Sequence, residues 1–314
     1  MAIPTESAPR FVLTVDVEDW NQLLDRRVGI RRSPNSAFKG QMQALLGAFD
    51  DLGATATFFV LGCTAADHPD VVADISGRGH EIACHGYSHI PVYRQAPAEF
   101  RADVERSVQV IEQITSIRPQ GFRAPIFSIN RDCMWAYEQL AELGFKYDAS
   151  RCACPWVPNP INPAAEEPYR LQLSGGRELW ELPVAARRVG THSVPVGGAS
   201  YWRFLPAGLH LRLLRKAEQR GAYPVLYVHP YECDPESLRA NLPWWATRAE
   251  LRLARQRECW RNFRREAVLT RLQAIGERFE LTTCSAALEA LTSTEQAAGE
   301  RPARAAPARV VLAA

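Results

Sequence analysis

Two histidines four residues apart, His85 and His89, sit in the segment Glu81-Ile82-Ala83-Cys84-His85-Gly86-Tyr87-Ser88-His89. They lie downstream of an acidic cluster, Asp16-Val17-Glu18-Asp19, that closes an apolar run. A carboxylate and two imidazoles form a ligand set for a hydrolytic metal that keeps one position open for water. If these side chains converge, the chain is a metal-dependent hydrolase. The same histidine spacing also suits one face of a helix, where the rings would pack or meet solvent. Gly86, next to His85, argues for a loop instead.

The elements that must position these groups follow from the alternation of apolar runs with helix-period segments. Phe11 to Val17 reads as a strand, and Phe38 to Leu52 as a helix with apolar residues at Met42, Leu45, Leu46, Phe49 and Leu52, stopped by Gly53. Ala54 to Leu61 reads as a strand buried on both faces, and Pro69 opens a helix ended by Gly77 and Gly79. Further strands are expected at His80–Ala83, Gly121–Arg123, Phe145–Asp148, Tyr223–Val228 and Phe279–Thr283. Helices are expected at Pro97–Ile117, Arg131–Leu143 and Ser285–Leu291, with a long irregular loop from Cys152 to Gly176. Strands separated by helices imply right-handed βαβ units and a parallel sheet, and their repetition favours an α/β barrel over an open sheet. Asp16, Glu18 and Asp19 end the first strand, His85 follows the third, Arg123 the fourth and Asp148 the fifth, and His229 ends Pro224–His229. Ligands of parallel α/β proteins bind at the carboxyl ends of strands, so these residues are expected to face one cleft.

In that order, Thr14-Val-Asp16-Val-Glu18-Asp19, His85-x-x-x-His89, Phe122-Arg123-Ala-Pro125, Tyr147-Asp148-Ala-Ser150 and Leu226-Tyr-Val-His229-Pro230 resemble the five motifs of the polysaccharide deacetylases (NodB homology, carbohydrate esterase family four). The likeness spans roughly residues 11 to 290 and is strongest to the branch associated with exopolysaccharide and exosortase loci. It implies an α/β fold, a distorted (β/α)7-type barrel with parallel strands and additional C-terminal helices, and removal of N-acetyl groups from amino sugars. It also implies a divalent metal ion, zinc first among several that two imidazoles and a carboxylate would serve. By the same resemblance Asp16 is the general base, Arg123 grips Asp16 through a forked hydrogen bond, and His229 is the general acid. Asp148 would orient the His229 ring. The first motif departs from the common pattern: Val17 separates Asp16 from Glu18. Alternation along a strand puts Asp16 and Glu18 on one side, which favours Glu18 as metal ligand, with Asp19 as competitor. The one-residue spacing is shared with allantoinase-like and cyclic-imide hydrolases, a second enzymatic reading. A barrel that binds sugar without turning it over is a third.

Aromatic residues are the natural sugar contacts, since sugar rings stack on their faces. Trp20, directly after the acidic cluster, and Tyr231, just past His229, are preferred, with Tyr87 and Pro125 beside the motif residues. Phe127, Trp156, Trp180, Tyr201 and Trp202 are further cleft-lining candidates, while Trp244-Trp245 reads as a pin for the C-terminal helices. Glu232, in His229-Pro-Tyr-Glu232, either meets a sugar or braces its loop. Cys152 and Cys154 form an isolated C-x-C pair, read as two reduced thiols, and Cys84 should point away from His85 into packing.

With 46% hydrophobic and 23% charged residues, the chain of 314 residues supports a large core, and residues 1–291 are expected to form one domain with a mobile Ala/Arg/Pro tail at 292–314. The net charge of +2 gives no strong field towards nucleic acid. The dense arginines between Arg248 and Arg265 read as a solvated helix face, with an anionic ligand surface as the alternative. No apolar run approaches the roughly 20 residues needed to span a bilayer, and Met1 to Arg10 lacks a secretory apolar core, so the expected compartment is the cytoplasm.

Overall fold

The computed structural model describes residues 10–19, 37–152, 157–158, 160–161, 167–189, 192–219, 223–234, 236–239, 242, 245–299 and 309–311. Its chain order begins β1 (Arg10–Val17), α1 (Phe38–Leu52), β2 (Thr57–Val60), α2 (Gly62–Asp67), α3 (Pro69–Gly77), β3 (Glu81–Cys84), α4 (Pro97–Thr115), β4 (Gly121–Phe122), α5 (Trp135–Glu142) and β5 (Tyr147–Asp148). It continues with β6 (Tyr169–Gln172), β7 (Glu178–Glu181), β8 (Ala186–Val189), β9 (His192–Pro195), α6 (Ala199–Trp202), α7 (Ala207–Glu218) and β10 (Val225–Val228). It ends with α8 (Arg248–Asn262), α9 (Ala267–Gly276), β11 (Glu280–Thr282), α10 (Cys284–Gly299) and β12 (Arg309–Val311).

Seven strands run parallel in the order β10-β1-β2-β3-β4-β5-β7. The chain just past β7 returns to β10 through a parallel bridge, Val184 to Val225, with the Ala185 amide donating to the Val225 carbonyl at 2.9 Å. That contact closes the sheet on itself, so the fold is a distorted (β/α)7-type barrel. The antiparallel β6 and the parallel β12 extend the sheet beyond β7, and β11 pairs with the start of β1.

The pleat of β1 shows how sequence positions the site. Phe11, Leu13, Val15 and Val17 alternate outwards and pack with α1 residues Met42, Leu45 and Phe49 in the layer between barrel and helices. Val12 points inwards to Phe59, Ala83, Tyr147, Trp180 and Val225. Asp16 shares the inward parity of Val12 and stands one strand end above this apolar plug. At the opposite end α10 stoppers the barrel: Cys284 and Ala287 join the plug, the Cys284 amide donates to Thr57 Oγ1 at 2.8 Å, and the Ser285 amide donates to Glu81 Oε2 at 3.0 Å. Glu81 thus supplies a carboxylate to the exposed amides of a helix start. Gly53 ends α1 with φ of 58°, the left-handed conformation that closes helices.

Several expectations are corrected. The segment between Cys152 and Gly176 is not all loop: Tyr169–Gln172 pairs antiparallel with Glu178–Glu181 because a short turn at Ser174–Gly176, with Gly175 and Gly176 at positive φ, folds it back. Arg131–Leu143 is broken into a 3₁₀ turn at Arg131–Cys133 and the helix α5, since Asn130 caps the Asp132 amide at 2.9 Å before the helix begins. The last helix runs eight residues past Leu291 to Gly299, and residues 309–311 pair with β6, where a tail without structure was expected. Trp245 is 64% exposed rather than packed into the core, while Trp244 lies outside the described residues. Among the described residues no helix is long and apolar enough to cross a membrane.

Candidate metal centre and its surroundings

The side chains of Glu18, His85 and His89 meet at the carboxyl end of the barrel, each buried, with one ligand atom from each lying within 4.8 Å of the others. Glu18 Oε1 stands 3.0 Å from His85 Nε2 and 2.6 Å from His89 Nε2. Two nitrogen ligands and a carboxylate around a tetrahedral ion would stand about 3.3 Å apart for bonds near 2.05 Å. To admit a divalent cation the two carboxylate–imidazole contacts would open by about 0.3 and about 0.7 Å. The carbonyl of Arg123 lies 2.7 Å from His85 Nδ1, so that nitrogen is the donor and Nε2 keeps its lone pair for the centre. Asp19 is fully buried with interactions of its own and is absent from the cluster, so of the two competing acids it is Glu18 that meets the imidazoles.

The loop that presents both histidines is shaped by local chemistry. Gly86 has φ of +74° and lies so close to Asp103 that a Cβ there would stand 2.9 Å from its Oδ2. Asp103 accepts hydrogen bonds from the Tyr87 amide at 2.7 Å and the Ser88 amide at 3.0 Å, tying the loop to α4. His89 itself has φ of 54°, a left-handed conformation that costs a non-glycine residue about 1 kcal/mol or more. Cys84 points the other way, into a core with Val104, Val108 and Phe122, and burial pushes its thiol up to about 12.

Asp16 lies two residues before Glu18 and is buried. Its Oδ1 accepts from Arg123 Nη1 at 2.6 Å. The expected fork onto Asp16 is not formed. Arg123 spends Nε on the Ala149 carbonyl at 3.0 Å, and Nη1 also reaches Thr14 Oγ1 at 2.8 Å, so one guanidinium joins β1 to the chain after β5.

His229 closes the far side, its Nε2 3.8 Å from Glu18 Oε2. The expected Asp148 partner is replaced by Glu232, whose Oε2 lies 2.9 Å from His229 Nδ1 and also accepts the His229 amide at 3.0 Å. Ser200 donates to the other Glu232 oxygen at 2.6 Å, and Arg261 stands 3.7 Å from it. Burial alone would push the Glu232 carboxyl up, but His229, Arg261 and Ser200 outweigh it and bring it down to about 2. Burial likewise works against a charged His229, yet Glu232, Glu18 and Asp16 outweigh it and raise the imidazole above its ordinary value. At Glu18 burial is opposed by the His85 hydrogen bond and by the charges of His229, His85 and Arg261, and the carboxyl falls below its usual range. Of the two sequence readings of Glu232, bracing is the one realised. The local signal was its spacing of three from His229, which lets one carboxylate reach both the amide and the ring.

Asp148 faces elsewhere. It accepts from the Ser150 amide at 2.9 Å and the Ser150 hydroxyl at 2.7 Å, and Ser150 Oγ in turn accepts the Ala124 amide at 2.8 Å, which anchors the Arg123-Ala-Pro125 turn. Its register neighbour on β7 is Glu181. Burial and the adjacent Asp148 charge raise the Glu181 carboxyl well above its ordinary range, and burial raises Asp148 as well.

Among the expected sugar contacts, Tyr231 is fully buried and stacks on His229 at 4.9 Å, so its faces are spent on the imidazole and, from 5.1 Å, on Arg261. Tyr87 is half-buried beneath the Arg106 guanidinium at 3.7 Å. Pro125 is buried at the start of a 3₁₀ turn, and Phe127, Trp180 and Trp202 are core residues rather than cleft linings. Trp20, Trp156 and Cys154 lie outside the described residues.

Residues 33–147 match the family described as polysaccharide deacetylase, and residues 156–289 match a domain of unknown function, DUF3473. The chain is 32% identical over 108 residues to a peptidoglycan deacetylase-like protein of Gibberella zeae, covering 34% of this chain and 31% of that protein. It is 30% identical over 168 residues to a peptidoglycan deacetylase of Helicobacter pylori, covering 54% of this chain and 56% of that protein. The chain thus spans from about a third to a little over half the length of these curated relatives. A crystal structure from Mycobacterium smegmatis, assigned to the polysaccharide deacetylases, superposes over 99% of this chain and 98% of its own with a TM-score of 0.60 at 21% identity, a likeness of fold. The chain carries a polysaccharide deacetylase domain of the NodB-homology type, followed by a DUF3473 region.

Proposed function

We propose that this polysaccharide deacetylase-family chain is a divalent-metal-dependent N-deacetylase, acting on N-acetylated amino sugars of a surface polysaccharide or its precursor, with zinc as the first candidate ion. The observation that carries the reading is the convergence of Glu18, His85 and His89 from remote stretches of chain, with a buried carboxylate and a buried histidine on either side. Such an ion would supply a Lewis acid for the acetyl carbonyl and acidify a water.

The chain's own groups divide the remaining work. Asp16, held by Arg123, takes the proton as water oxygen adds to the acetyl carbon. His229 keeps Nδ1 on Glu232 and presents Nε2 to the cleft, where it gives its proton to the departing nitrogen as the C–N bond breaks. Acetate and a free amine result. The raised affinity of His229 for its proton suits a donor, and the Asp16–Arg123 contact suits an acceptor whose lone pair must be aimed. The relatives' names support an acetylated glycan as substrate class.

Metal content of the purified chain, followed by acetate release from N-acetylated oligosaccharides, tests the proposal. Stoichiometric metal and acetate release are expected, abolished by chelation and restored by zinc. Ring opening of a cyclic imide without acetate release would transfer the site to the other hydrolase class, and a metal-free, inactive protein would reduce it to a sugar-binding barrel.

A further inference from the structure

The geometry points to a second functional surface, on α8 and the turn before α7, that docks the protein onto an anionic phospholipid bilayer. From Trp245 to Arg265 the chain holds seven arginines against two glutamates; Arg265 is buried and Arg261 is turned to Glu232, which leaves five arginines for the surface. At 3.6 residues per turn, Arg248, Leu251, Arg252, Arg255 and Trp260 project within one half of the α8 circumference. All five are exposed, while Ala254 on the opposite side is buried. Glu250 and Glu258 fall outside that half, so the exposed half is cationic and apolar without an acid.

At the end of this face three aromatic rings are stacked in the open. Phe204 lies 5.0 Å from Trp260 and 5.4 Å from Phe263, with interplanar angles of 28° and 16°. The three are 43%, 50% and 49% exposed. This display is held from beneath. Arg203, fully buried, donates through Nη1 to the carbonyls of Trp260, Arg261 and Phe263 at 3.1, 2.7 and 3.1 Å. A buried guanidinium devoted to the last turn of the helix fixes the rings in place.

Large exposed apolar side chains grouped together mark a contact surface, and aromatics rimmed by arginine match the interface of a bilayer with anionic headgroups. The arginines are drawn to lipid phosphates, and the rings settle at headgroup depth. Arg261, next to Trp260, reaches back to Ser200 and Glu232, so docking would hold the mouth of the barrel close to the membrane surface.

The test is sedimentation of the full chain with vesicles of phosphatidylcholine, with and without phosphatidylglycerol. Binding only to the anionic vesicles, weakened by salt, is expected. Arg252→Ala/Arg255→Ala should weaken it about thirty-fold, the factor for about 1 kcal/mol from each arginine. Trp260→Ser/Phe263→Ser should reduce binding while leaving the circular dichroism spectrum unchanged. Equal partition onto both vesicle types, no binding to either, or wild-type binding by the arginine variant would overturn the inference. Tighter binding to a single-stranded oligonucleotide than to anionic vesicles would do so as well.

Discussion

At the carboxyl end of β1 two buried acids face cations; at the ends of β5 and β7 two buried acids face each other. Asp16 meets the Arg123 guanidinium and Glu18 meets two imidazoles, whereas Asp148 and Glu181 are register neighbours, and burial with the Asp148 charge raises the Glu181 carboxyl. Residue type, burial and place in the barrel are alike. The partner alone separates carboxylates fit for base and ligand duty from a pair that acts as structure. Glu232 repeats the first pattern in the second half of the chain, where His229 is its partner. This contrast implies that loss of a cationic partner, or of an acid facing one, should cost activity. Changes within the acid pair should cost little.

The largest effect is expected from His85→Ala, which should remove bound metal and activity together; a fully loaded, active variant would refute the ligand assignment. Glu18→Gln should likewise lose metal while Asp19→Asn keeps it, and metal analysis of the two variants checks which acid holds the ion. Asp16→Asn is expected to retain metal and lose about 10² to 10⁴ in kcat, the usual worth of a positioned base. Near-wild-type turnover would assign the proton to another group.

Glu232→Gln should lower kcat by about tenfold, within the range of a lost orienting partner. Its sign in pH follows from His229. Glu232 raises the imidazole's affinity for its proton, so activity that needs the protonated ring is lost as pH rises through its folded value. Removing Glu232 should move that loss to lower pH. An unmoved alkaline limb would show that His229 is not the donor.

The smallest effect belongs to Glu181→Gln, because burial and the Asp148 charge raise the Glu181 carboxyl and so favour its neutral form, which an amide imitates. Its change in unfolding free energy at pH 6 should stay within about 1 kcal/mol, against about 3 to 5 for removing one partner of a buried ion pair such as Arg123. The wild-type carboxyl is raised in the folded state, so its contribution is complete below the unfolded value near 4.5 and is lost as pH climbs through the folded one. The variant lacks that slope and should become the more stable protein in alkaline denaturant titrations. Equal slopes would mean that the Glu181 carboxyl is not raised.

Much of this was legible in the sequence because it is local. The period-2 pattern of Phe11 to Val17 decided which side of β1 faces the barrel and so turned Asp16 inwards, with Glu18 just past the strand end. The 3.6 period of Phe38 to Leu52 and the glycine after it delimited α1 to the residue. Strand ends bearing ionisable groups pointed to one mouth, since parallel strands carry their carboxyl ends on one side. The antiparallel β6, the prolongation of the last helix to Gly299 and the break before α5 were not legible, because pairing with β7, packing against the barrel floor and a side-chain cap at Asn130 decided them.

The sequence by itself determined which residues can do chemistry and which face of each element they occupy, because pleat and helical period act over a few residues. Only the tertiary structure decided who meets whom. It gave His229 to Glu232 rather than Asp148, spread the Arg123 fork over three oxygens, and buried the Tyr231 ring against the imidazole it was expected to neighbour. The reason is geometric: side chains from different strands choose partners by strand order and register, and distance along the chain records neither.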